Sequence, residues 1–169
     1  MPDDKPIEIA TDHRCLLGDA TDALARHAER GDRGDVLASH AHAWLSSLDR
    51  VAFERCCLRE YLALAPERFE REIQLPIASD ETAKLDTRVL LWPIGSQDGE
   101  YPHCEGWAAV MAVQGTLGAS EQRDGERQPE RPLPLCVPEL IHPRDGVSHH
   151  IHNRGKDIGV TIHIFGNLS

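Results

Sequence analysis

Tyr101, His103 and Glu105 stand at alternating positions in GSQDGEYPHCEGWAAVMAVQG, Gly95 to Gly115. In an extended chain, alternate side chains share a face, so a strand here points all three the same way. An imidazole and a carboxylate two residues apart on the inner wall of a barrel can grip one divalent ion. The Tyr101 phenol can join that ion or donate a hydrogen bond beside it.

A second segment, DGVSHHIHNRGKDIGVTIHIFG, runs from Asp145 to Gly166. Of the chain's 10 histidines, His142, His149, His150, His152 and His163 fall in or next to it. Parity sets His149, Ile151 and Asn153 on one face and His150 with His152 on the other. Ile151 marks its own face as the packed one, so His150 and His152 are expected nearer solvent. Further on, Thr161, His163 and Phe165 share a face, and Val160, Ile162 and Ile164 share the opposite one. A strand apolar on one side, with Thr and His on the other, fits a barrel whose lumen holds a polar site.

The stretch His149 to Phe165 resembles the C-terminal signature of the cysteine dioxygenase family, the thiol dioxygenases of the cupin superfamily. That signature has a metal-ligand His, an apolar residue two later and Asn four later. A Ser-x-His-x-Tyr strand follows after a short turn. The corresponding residues here are His149, Ile151, Asn153, Thr161, His163 and Phe165. VLLWPIG resembles the Trp-bearing strand that precedes the family's metal strand. Counting back from Gly115 puts His103 on the second His of the family's His-x-His pair. The likeness runs from about Arg88 to Gly166.

The resemblance implies a mainly β cupin barrel (double-stranded β-helix or jelly roll) with N-terminal helices. It implies Fe(II), or another divalent first-row metal, held by His103 and His149, with a small-molecule substrate and O2 as reactants. His163 would then hydrogen-bond substrate or oxygen through one ring nitrogen and be held by Thr161 through the other. Departures matter too. Tyr101 occupies the place of the family's first ligand His, so Glu105 or Tyr101 itself must complete or line the site. Ala108 and Phe165 replace the Cys and Tyr that cross-link in some members. A carboxylate-binding Arg is unassigned among Arg68, Arg71 and Arg88. Two functions follow: a thiol dioxygenase-like oxygenase, or a non-catalytic cupin that binds a metal or small molecule.

These residues need elements to position them. Thr21 to Arg30 starts at a possible N-cap and stops at Gly31, Asp35 to Ser47 is a second helix, and Asp49 to Pro66 a third. From Phe69 onward the runs REIQLPI, TRVLLWPI, WAAVMAVQG, LPLCV, ELIHP, HHIHN and GVTIHIFG alternate with turn residues, as in a sandwich or barrel. SEQRDGERQPERPLP, Ser120 to Pro134, reads as a long exposed hairpin loop. The expected plan is one domain over 1–169, a helical cap over 1–66 and a β-barrel over 67–169. Trp92 and Trp107 read as core or pocket wall.

The net charge of −10, from 28 acidic against 18 basic side chains, repels phosphates, so neither nucleic acid nor an anionic membrane is expected as a partner. Five scattered cysteines without a CxxC pair suit reduced thiols. The acidic start, MPDDKPIEIATDH, lacks a basic region and an apolar run, so the expected location is cytoplasmic. Nothing in the spacing chooses between a monomer and a homodimer.

Overall fold

Alternating burial determines how the strands stack. The computed structural model describes residues 14–48, 62–63, 72–96, 99–100, 106–142 and 147–167. Two helices, α1 (Arg14–Glu29) and α2 (Gly34–Ser47), precede ten strands. These are β1 (Ile73–Asp80), β2 (Leu85–Trp92), β3 (Gly99–Glu100), β4 (Trp107–Gln114) and β5 (Leu117–Arg123), then β6 (Glu126–Arg127), β7 (Arg131–Leu133), β8 (Glu139–Ile141), β9 (Val147–Asn153) and β10 (Gly159–Gly166). One five-stranded sheet has the order β1-β2-β10-β4-β8. The other has β3-β9-β5-β6, with β7 also paired to β5. The ladders are antiparallel. The chain is mainly β with N-terminal helices, as its sequence pattern predicts.

Every residue of β10 is buried. Val160, Ile162 and Ile164 join Val89, Leu91, Ala109 and Met111 against Leu17, Leu24, Leu37 and Leu45 of the helices. The helices thus cover the outer face of the first sheet. Between the sheets lies a second core of Leu90, Trp92, Val110, Leu117, Ile151 and Phe165. Pattern and packing agree here because a strand covered on both faces needs apolar residues outward and tolerates polar ones inward only where they find partners. Gly115 closes the β4–β5 turn at φ +96°, where a side chain would be strained and a Cβ would stand 2.9 Å from Gly159 Cα.

Two local expectations are corrected. Helix α1 begins seven residues before Thr21, at Arg14. Thr21 does not cap it: this side chain is 2% exposed, and its hydroxyl meets the Leu17 carbonyl at 3.4 Å and Thr87 Oγ1 at 2.7 Å. A buried hydroxyl can bond back to the preceding turn, which lets Thr sit mid-helix. The segment read as one exposed loop, Ser120 to Pro134, is exposed over much of its length but ordered by pairing. Strand β5 continues to Arg123, turns at Asp124 and Gly125 (φ 51° and 83°), and receives β6 and β7 on its free edge. Positive φ at both central residues is the twist-matched hairpin turn. Of the expected helix Asp49 to Pro66, only Leu62 and Ala63 are among the described residues, and these two are helical.

Ile162 is fully buried where helices and sheet meet. Ile162→Ala should cost about 2–5 kcal/mol of unfolding free energy, measured by urea denaturation, through lost transfer energy and an unfilled cavity.

Candidate functional site

The strand registers decide which side chains share the lumen. In β9–β5, His149 stands opposite Glu121 and Ile151 opposite Ala119. In the facing sheet, His163 lies between Arg88 of β2 and Val110 of β4. His149, Ile151 and Asn153 therefore share the inner face of one sheet, and Thr161, His163 and Phe165 that of the other. Asn153 is structural: Nδ2 donates to the carbonyls of Trp92 (3.2 Å) and Asp157 (2.8 Å), and Oδ1 accepts from Gly155 N–H (2.9 Å). This one amide closes the turn that returns the chain into β10.

Thr161 and His163 meet in a buried chain. Trp92 Nε1–H donates to Thr161 Oγ1 at 2.8 Å, and Thr161 Oγ1 lies 2.7 Å from His163 Nε2. An indole nitrogen can only donate, so the hydroxyl accepts from it, while the direction of its contact with Nε2 follows the ring's tautomer. Burial, helped by the nearby positive charge of Arg88, lowers the His163 pKa to about 3. The ring is therefore neutral at physiological pH and acts as a polar hydrogen-bonding group. Phe165 stacks on it at 5.6 Å between centroids.

Among the three arginines considered for a substrate carboxylate, Arg88 alone is described. Its guanidinium is held by Asp86 (2.6 and 2.8 Å) and by Gln74 (2.7 Å), and it lies 5.9 Å from the centre of the Phe165 ring. A substrate carboxylate would have to compete with Asp86 for it. Arg68 and Arg71 lie outside the described residues.

His149 lies toward the other end of β9, 12% exposed, with Nδ1 3.8 Å from Glu121 Oε1. Both line a cavity of about 20 Å³ together with Val110, Ile151, Arg131 and Glu139. Arg131 and Glu139 form a two-pronged ion pair at 2.6 and 2.7 Å across its rim. An imidazole beside a carboxylate is a donor pair that suits iron and its first-row neighbours, so these residues fit the metal that the resemblance implies. The remaining expected members of the set, Tyr101, His103 and Glu105, lie outside the described residues. Glu121 was not foreseen from the sequence. Its segment, LGASEQR, lacks the apolar alternation of a strand, and only the pairing to β9 sets this carboxylate against His149.

His150 and His152 correct the parity reading, being 6% and 1% exposed. The outer face of β9 is covered. Glu130 lays its carboxylate over Gly118, which has no side chain to exclude it, and reaches within 3.8 Å of His152 Nε2. Arg154 holds Glu130 in place at 2.7 and 3.0 Å and lowers the pKa of that carboxyl. Ser120 Oγ lies 3.1 Å from His152 Nε2, and Ser148 Oγ 3.0 Å from His150 Nε2.

A scan of protein-family models finds no match to the sequence, and neither does a search of curated proteins. Solved structures do show likeness. The cupin domain of Schizosaccharomyces pombe Cnp3 is 14% identical with TM-score 0.48, over 63% of this chain and 71% of that one. A cupin domain from Bordetella pertussis is 14% identical with TM-score 0.47, over 60% and 99%. Fe(II)-HppE with an alternative substrate is 13% identical with TM-score 0.47, over 93% and 98%. Likeness at this level carries no assignment of chemistry. Among the described residues, no helix is long and apolar enough to cross a membrane.

His163 makes stability fall on acidification. Its folded pKa, about 3, lies below the ordinary 6.5, so between these values the unfolded chain holds a proton that the folded chain lacks. The contribution is complete above about pH 6.5 and declines by up to about 1.4 kcal/mol per pH unit as pH falls toward 3. Urea titrations at several pH values should give a shallower acid-side slope for His163→Gln than for wild type; equal slopes would contradict a neutral buried ring.

Proposed function

We propose that the chain is a metal-dependent oxygenase of the cupin type, thiol dioxygenase-like, that oxidises a small thiol or related small acid with O2. One observation carries this reading: His149, the residue on the ligand position of the resemblance, sits on the inner face of a sheet beside a carboxylate, Glu121. His149 and His103 would hold Fe(II), with Glu105 or Tyr101 completing or lining the site, and Glu121 placed to bind the metal or orient the His149 ring. A bound ion would supply open coordination positions and redox chemistry for a reaction between a small thiol and O2.

The chain's own residues contribute orientation and a dry environment. Trp92 and Thr161 fix the His163 ring, and burial keeps it uncharged, so it acts by hydrogen bonding rather than as an acid. Leu90, Val110, Ile151 and Phe165 exclude water from the lumen. An apolar wall strengthens each polar contact made inside it. Three acidic or basic groups besides His149 edge the cavity, Glu121, Arg131 and Glu139, and they are where a charged small substrate would enter.

A second reading, a non-catalytic cupin that binds a metal or small molecule, is favoured by the size of that cavity. About 20 Å³ accommodates little more than one water-sized group. The two readings separate in one experiment. Protein expressed in iron-supplemented medium is assayed for bound Fe, Zn, Ni and Mn, and oxygen uptake is followed with a panel of thiols. Near-stoichiometric iron, lost in His149→Ala together with thiol-dependent oxygen uptake, is the expected result. Bound metal without oxygen uptake supports the binding module. Wild-type protein without metal, or His149→Ala with undiminished metal, removes the proposed centre.

A further inference from the structure

We infer that the helical hairpin carries a separate binding site for a divalent transition ion such as Zn²⁺, made by His27, Asp32 and His40. Among the described residues these three form the one group of His, Cys, Asp or Glu whose ligand atoms all fall within 4.8 Å of one another. Asp32 Oδ2 lies 3.0 Å from His27 Nδ1 and 3.4 Å from His40 Nε2. The two imidazoles stack with centroids 3.7 Å apart and planes 21° from parallel. Nothing in the lumen chemistry uses these residues, which belong wholly to α1, its turn and α2.

Local backbone geometry builds the cluster. Gly31 follows the end of α1 at φ +102°, its N–H donates to the Ala28 carbonyl at 3.0 Å, and Asp32 N–H donates to the His27 carbonyl at 3.1 Å. This is the six-to-one and five-to-two bonding that ends a helix with a left-handed glycine, and it brings the residue after that glycine back over the last turn. In such a motif that contact is commonly apolar. Here it is a carboxylate on an imidazole. Arg33 adds hydrogen bonds to the carbonyls of Ala28 and Asp32, so the turn is fixed before α2 begins. His40, two turns into α2, then supplies the third donor from the other helix.

The spacing suits an ion. Ligands about 2.0–2.1 Å from a tetrahedral zinc stand about 3.3 Å from each other, close to the two separations around Asp32. A single divalent ion would sit between the carboxylate and the two imidazoles once the stacked rings rotate to aim both lone pairs at it. All three side chains are between one-third and two-fifths exposed, so a fourth position stays open to water or another ligand. Holding one residue from each helix, the ion would cross-link the hairpin that covers the barrel.

The test uses full-length protein without an affinity tag, titrated with Zn²⁺ by calorimetry and by thermal unfolding, and with Co²⁺ by visible absorption. His149→Ala should keep this site; His27→Ala, His40→Gln and Asp32→Asn should each weaken it at least tenfold and lose the Zn²⁺-dependent rise in Tm. His149→Ala is the control that separates this site from the lumen, since loss of the lumen centre leaves these ligands untouched. Circular dichroism on each metal-free variant checks that the hairpin is folded, and His40→Ala stands in should His40→Gln not fold. Undiminished Zn²⁺ affinity and unchanged Co²⁺ absorption in the three folded variants would overturn the assignment, as would Zn²⁺ binding that disappears in His149→Ala.

Discussion

Strand β10 is buried along both faces, and most of the molecule is arranged to satisfy it. Its outward residues Val160, Ile162 and Ile164 require a cover, which α1 and α2 provide. Its inward residues Thr161 and His163, fully buried, require hydrogen bonds, and Trp92 supplies the first of them. An unsatisfied polar group there would cost about 1–3 kcal/mol. The Trp92–Thr161–His163 chain therefore ties β2 to β10 chemically as well as by the ladder, and any substitution at Thr161 disturbs the orientation of His163 along with the core.

The same burial shapes the site's electrostatics. His163, sealed from solvent and near Arg88, is held neutral, while His149 near the opening keeps a carboxylate neighbour. Two histidines on facing walls thus have different environments: one is a fixed hydrogen-bonding group and the other a candidate ligand. Charge at the rim is paired internally, Arg131 on Glu139, and Arg88 near His163 is likewise paired with Asp86.

The helical cap has two distinct physical roles. Its apolar faces shield the outer surface of the first sheet, with the Thr21–Thr87 hydroxyl pair as a polar cross-link at 2.7 Å inside that interface. Its turn, closed by Gly31, carries the His27, Asp32 and His40 cluster on the surface. The first role depends on packing against the barrel; the second depends only on how α1 ends and α2 begins.

The sequence by itself determined whatever follows from side-chain period. Alternation in GVTIHIFG and HHIHN set Val160, Ile162 and Ile164 against Thr161 and His163, and put His149, Ile151 and Asn153 on one face, because successive side chains of a strand point to opposite sides whatever they pack on. Helices before strands, and the stop at Gly31, came from equally local signals. What covers a face is not local. His152 is buried beside Glu130, which Arg154 holds over Gly118, and no spacing rule brings residues 118, 130 and 152 together. LGASEQR forms strand β5 by pairing with β9, β6 and β7, and no apolar pattern marks it in the sequence. The neighbours Glu121 to His149 and Asp32 to His40 likewise exist only once register and helix packing are set. Period belongs to the chain, whereas proximity between distant residues belongs to the fold.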